Sequence, residues 1–140
     1  MRSWPAVARA ITWLELPAAV LVGAGLALWI DANLRREEAF KALDDLYAQG
    51  VASRNRLIPP ISDYDDQAER ANLDQWGDRV LQRLRDAGVG VAARSNFRTL
   101  NKYEPEFHAI AGKKNSQNHV ESMWNEKLNR LQFIIAKFDA

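Results

Sequence analysis

The sequence predicts an all-α protein: a single N-terminal transmembrane helix continuing into a stalk, then a small helical bundle of about three longer helices. Three observations carry that expectation. Ala10–Ile30, AITWLELPAAVLVGAGLALWI, holds one formal charge, Glu15. As a helix it is about 31 Å long at ~1.5 Å per residue, which matches a hydrocarbon core of ~30 Å. Beyond it, residues 31–49, 63–87 and 118–139 place apolar side chains at three- and four-residue steps. Breakers separate these stretches: Gly50, Pro59-Pro60 and Gly88.

Composition bounds the rest. The chain has 140 residues, and setting aside the span and its flanks leaves about 105, enough for one small core. Lys+Arg number 19 and Asp+Glu 18, a net charge of +1, which argues against a dedicated nucleic-acid binder. There is no cysteine, so a disulfide framework, a thiol nucleophile and thiolate metal ligation are all excluded. Trp4, Trp13 and Trp29 lie in or near the apolar span, and Trp76 and Trp124 in the remainder.

Residues 1–9, MRSWPAVAR, form a short basic tail with Arg2 and Arg9. In the span, Trp13 and Trp29 stand near the two ends, where indoles favour the membrane interface. Glu15 is close enough to one end to snorkel. Pro17 is tolerable in a first helical turn, so the span can also start at Leu16 or Pro17. Two readings compete: a cleaved secretory signal, for which Trp29-Ile30-Asp31-Ala32-Asn33 offers no A-x-A site, and a buried core helix of a soluble protein, for which 21 residues is long. Ala19, Gly23 and Ala27 make a small-residue stripe that suits close helix packing in a membrane. Two basic residues precede the span and three (Arg35, Arg36, Lys41) follow it, so charge counting does not resolve orientation. The nearness of Arg35-Arg36 to the span end favours a cytoplasmic soluble domain.

Residues 31–50 read as a stalk helix with Leu34, Phe40, Leu43 and Leu46/Tyr47 on one face, a Glu37–Lys41 pair, and Gly50 as its stop. Residues 51–140 read as the small helical domain. Arg54-Asn55-Arg56 can bind a phosphate or carboxylate. The plainer alternative is that these arginines bond the last carbonyls of the preceding helix or pair with Asp44/Asp45. The next helix, 63–87, is capped by Ser62 or Asp63, carries Asp65, Asp66 and Glu69 in its early turns and ends at Gly88. Its stripe is Leu73, Trp76, Val80, Leu81, Leu84 and Ala87. Gly77 lies within the pattern, as if to admit a neighbour beside Trp76.

Residues 88–117 are irregular, with short turns expected at Ala92–Phe97 and Pro105–Ala111. From Arg94 to Lys114 five basic residues face two acidic ones, a net +3, interleaved with Phe97, Tyr103 and Phe107. That composition fits headgroup contact or a nucleic-acid surface, or, more plainly, an ordinary loop whose aromatics cap the core and whose lysines are solvated. In the last helix, 118–139, Trp124, Leu128, Leu131, Ile135 and Phe138 follow a near-heptad seam, either the inner face of the bundle or a surface for a partner helix.

No constellation carries recognisable chemistry. H-E-x-x-H, G-x-S-x-G, a Gly-rich phosphate loop and a ligand set for a metal are all absent. Asp63-Asp65 opens like a calcium loop but lacks the glycine and closing glutamate. No catalytic, cofactor or metal residue is assigned. The function expected is a membrane-anchored, non-catalytic interaction or accessory subunit, in contact with a lipid bilayer and with a protein partner or a second copy. The alternatives are a headgroup or phosphate sensor using Arg54/Arg56 and 94–114, and an enzyme assembled from scattered residues such as Arg54, Arg56, Asp65 and His108.

Overall fold

The computed structural model describes residues 3–99 and 111–139, with side chains in the first helix from Leu21 onward. The described residues are helical: α1 Ser3–Arg56, α2 Asp66–Asp86, α3 Val91–Arg98 and α4 Asn115–Phe138, with no strand among them. The chain divides into two compact units, Met1–Arg35 and Arg36–Ala140. The all-α expectation therefore holds for the described residues. The membrane crossing expected at Ala10–Ile30 is not supported: among the described residues no helix is long and apolar enough to cross a membrane. Of that stretch only 21–30 has described side chains, about 15 Å of helix and half a hydrocarbon core.

In the first unit, Leu21, Val22, Leu26, Leu28, Trp29, Ile30 and Leu34 are all exposed. Asp31 and Arg35 pair across one turn at 3.0 Å, with both side chains more than half exposed. Leu34, expected on one apolar face with Phe40, Leu43 and Leu46/Tyr47, belongs with this exposed stretch.

The second unit is the bundle. Residues 36–50, expected as stalk, supply Ala39, Phe40, Leu43 and Leu46 to its core. α1 does not stop at Gly50 but continues to Arg56. The glycine serves packing instead. A Cβ built there would lie 2.7 Å from Leu128 Cδ2 and 2.8 Å from Trp76 Cζ2, so only a bare backbone lets those two side chains press against α1. Trp76 also donates its Nε1–H to the Leu46 carbonyl at 2.7 Å. α4 runs antiparallel to this part of α1. Arg36 donates to the Phe138 carbonyl, Tyr47 meets Gln132, Gly50 meets Leu128, and Arg54 meets Asn125.

Trp76 and Trp124 are both buried, with ring centroids 4.9 Å apart and tilted by 54°, and Phe97 packs 6.0 Å from Trp76. Such tilted aromatic contacts add to the burial of the rings themselves. α2 starts later than expected because Tyr64 turns inward and is buried. Asp65, rather than Ser62 or Asp63, then caps it, accepting from Ala68 N at 3.2 Å. Its far end is a Schellman closure: Gly88, at φ +77°, donates to the Arg85 carbonyl, and Val89 to the Leu84 carbonyl. Val89 and Leu84 are both buried, which supplies the apolar contact that accompanies this motif.

Candidate functional site

Arg54-Asn55-Arg56 closes α1. Arg56 makes a two-pronged pair with Glu69 at 2.7 and 2.6 Å, which holds its guanidinium above its ordinary pKa. Arg54 donates Nε and Nη2 to Asn55 Oδ1, and Nη1 to Asn125 Oδ1 at 3.2 Å. The carbonyls of Arg54 and Asn55 are taken by the backbone N–H groups of Leu57 and Ile58. Both arginines are thus turned toward α2 and α4. Neither meets Asp44 or Asp45, the local partners suggested by proximity in sequence.

The α4 seam faces inward. Trp124, Leu128 and Leu131 lie in the core, and Ile135 and Phe138 pack against it half-buried. Of the small-residue stripe, Gly23 and Ala27 are exposed, and a Cβ at Gly23 would meet nothing within 4 Å. Ala19 lies outside the residues with described side chains, and Lys102, Tyr103, Phe107 and His108 lie outside the described residues altogether. The basic 94–114 stretch is divided by burial. Phe97 is fully buried, and Lys113 is drawn inside rather than solvated.

Two polar clusters, neither legible as a motif, tie the bundle together. In the first, Gln117 is fully buried at the start of α4. Its Nε2 donates to the carbonyls of Leu57 and Pro59 at 2.9 and 2.7 Å, and its Oε1 accepts from Ile61 N at 3.2 Å. Lys113 adds a bond to the Ile58 carbonyl at 2.8 Å and an ion pair to Glu121 at 2.7 Å. The prolines of this loop have no N–H, so side chains from the start of α4 and from the residues just before it satisfy its inward carbonyls in place of a backbone ladder. Beside it, Tyr64 donates its hydroxyl to Asp66 Oδ1 at 3.0 Å, and Arg70 Nε donates to Asp66 Oδ2 at 2.8 Å. The Arg70 bond holds the Asp66 carboxyl below its usual range, while burial raises the Tyr64 phenol.

The second cluster secures α3. Lys127 donates to the carbonyls of Phe97 and Arg98 at 2.5 and 2.9 Å, and its ammonium stands 4.7 Å from the Phe97 ring centroid. Arg130 donates to the Asn96 carbonyl at 2.7 Å and pairs with Glu126 at 2.5 Å. Two cations thus bind the last carbonyls of an eight-residue helix, where the helix dipole favours positive charge. Burial pushes the Lys127 ammonium down to about 8, with Arg130 acting in the same direction.

Lys127 also lines a cleft of about 400 Å³ between α2, α3 and α4. A groove of about 510 Å³ between α1 and α2 carries Asp45 and Asp86 against Arg79 and Arg83, so its charges balance. Among the described residues no group of three His, Cys, Asp or Glu side chains is placed to hold a metal ion. Of the scattered residues considered for an enzyme, Arg54 and Arg56 bond to Asn125 and Glu69, and Asp65 caps α2. The Trp124 Nε1 and Arg94 Nε groups are buried and have no hydrogen-bond partner among the described residues.

Comparison with protein-family models, with curated proteins and with solved structures finds no match for this chain.

Proposed function

We propose that the chain is a membrane-anchored, non-catalytic interaction or accessory subunit, with Ala10–Ile30 as its anchor and the helical bundle as its recognition domain. One observation carries the reading. The large apolar residues between Leu21 and Leu34 are exposed, and at about 100° per residue they cover about two thirds of the circumference of α1, with Ala24 and Ala27 on the remainder. A helix with one apolar stripe needs one partner, whereas a helix apolar all round needs an apolar surrounding. A lipid bilayer provides that on all sides, and Trp29 with Asp31, Arg35 and Arg36 just beyond it reads as the water boundary. The exposed Gly23 and Ala27 leave room within such a surrounding for a second copy or a partner helix.

The reading is tested by fractionation. Carbonate-washed membranes are expected to retain the full chain, and its recovery in the supernatant would overturn the anchor. The recognition role is tested by detergent pull-down with mass spectrometry, in which a defined protein should copurify in fixed proportion.

A further inference from the structure

We infer that Lys127 is a covalent capture site for small apolar aldehydes, which enter the cleft between α2, α3 and α4 and condense with its side-chain amine. Lys127 is buried, yet it lines this cleft of about 400 Å³, a volume in the range of small-ligand sites. The surface around it is apolar: Leu73 and Phe97 are buried, and Leu81 and Met123 pack half-buried against the core. The inference rests on α2, α3 and α4 alone and is independent of the membrane anchor.

An amine attacks a carbonyl carbon only through the lone pair of its neutral form. The surroundings of Lys127 favour that form. Its nitrogen is removed from water, and among the described residues its hydrogen bonds go to the neutral carbonyls of Phe97 and Arg98. Lys113, also buried, is instead paired with a carboxylate, Glu121, at 2.7 Å, and does not line the cleft. The charges around Lys127 come from all three helices and oppose one another. Asp74 on α2 and Glu126 on α4 favour the ammonium, and Arg98 on α3 and Arg130 on α4 disfavour it, so burial dominates and Lys127 titrates at about 8. Near neutral pH much more of it is therefore neutral than of an ordinary lysine at ~10.4. As a neutral amine it keeps one N–H for each of its two carbonyls and one lone pair for an electrophile. In the reaction the lone pair bonds to the aldehyde carbon while the C=O pair moves to oxygen. A proton passes through water from nitrogen to that oxygen, and loss of water leaves an imine, with nothing oxidised or reduced. The aldehyde's apolar body covers Leu73, Leu81 and Met123, which a charged aldehyde could do only by giving up its hydration.

The probe is benzaldehyde with cyanoborohydride, added at neutral pH to the full chain in detergent. The reductant converts the imine to a stable benzylamine, and peptide mass spectrometry locates it. Lys127 is expected to be labelled about tenfold or more faster than Lys41 and Lys114, both exposed. The preference should vanish in denaturant, where the cleft is lost, and with glyoxylate, whose carboxylate does not suit the apolar surface. Labelling of Lys127 no faster than that of Lys41 and Lys114 overturns the inference. So does a preference that survives in denaturant, or one equally strong with glyoxylate. The comparison uses the unaltered chain, so no outcome depends on a variant that must fold.

Discussion

Helix α1 carries large apolar residues in two stretches with opposite surroundings. From Leu21 to Leu34 they are exposed and spread over about two thirds of the helix circumference. From Ala39 to Leu46 they are buried and follow one line: Ala39, Phe40, Leu43 and Leu46, at steps of one and three. The polar residues between them, Lys41, Asp44 and Asp45, stay exposed. Both stretches belong to one continuous helix, so secondary structure does not separate them. Periodicity does. A one-sided pattern is met by neighbouring helices of the same chain, and an all-round pattern needs more apolar surface than this chain's described residues offer it.

The largest test of that contrast compares one leucine from each stretch. Leu43 has no exposed surface, so Leu43→Ala removes a packed side chain and leaves a cavity, at a cost of about 2–5 kcal/mol. Leu26 is 55% exposed, so Leu26→Ala should leave unfolding of the bundle unchanged within about 0.5 kcal/mol. Denaturant unfolding of the full chain in detergent, read by tryptophan emission, measures both. Equal losses at the two positions would erase the distinction.

A second test concerns polar burial within the bundle. In the folded chain Lys127 titrates at about 8, and in the unfolded chain near the usual ~10.4. Between these values the unfolded chain holds a proton that the folded chain has released. Stability should therefore rise with pH across that window, by at most about 3 kcal/mol. Below pH 8 both states are protonated and the contribution is flat. Tyr64 acts in the opposite sense, because its folded pKa is raised: the unfolded phenol ionises first, and stability falls above about pH 10. The stability–pH curve should climb from pH 8 and turn over above 10, and Lys127→Met should flatten the climb.

What the sequence makes legible follows from the same physics. Phe40, Leu43, Leu73, Trp76, Val80, Leu84, Trp124, Leu128 and Leu131 are readable as core from spacing alone, because burial of a helix stripe is periodic. Gln117, Lys113 and Lys127 are not readable. Each is a polar residue whose burial depends on carbonyls distant in sequence: the Pro59-Pro60 loop for the first two, the end of α3 for the third. No local pattern encodes where another segment will leave its acceptors. The arginines of residues 54–56 show the same limit. Their basic character is visible, but their partners, Glu69 and Asn125, come from helices that the spacing does not place. For the cleft, only Gly77 gave a signal, and the expectation that a neighbour packs against it runs opposite to the open space found there.

The two helix glycines sharpen the comparison to a single methyl group. Sequence alone suggests a stop at Gly50 and a close neighbour at Gly77, and the structure reverses both roles. A Cβ at Gly50 would approach Leu128 Cδ2 to 2.7 Å and two atoms of the Trp76 indole to 2.8 and 3.0 Å. Neither side chain can retreat cheaply, since both are buried and Trp76 is tied to the Leu46 carbonyl. Overpacking of this kind costs about 1–3 kcal/mol, against about 1 kcal/mol gained from replacing glycine by alanine in a helix. Gly50→Ala should therefore destabilise the bundle by up to about 2 kcal/mol. At Gly77 the added methyl meets nothing, so only the propensity gain remains, and Gly77→Ala should stabilise by about 0.5–1 kcal/mol. Opposite signs in the same denaturant assay are the expected result. A stabilising Gly50→Ala would mean that Trp76 and Leu128 have room to move, and that α1 is not held against α2 and α4 by this contact.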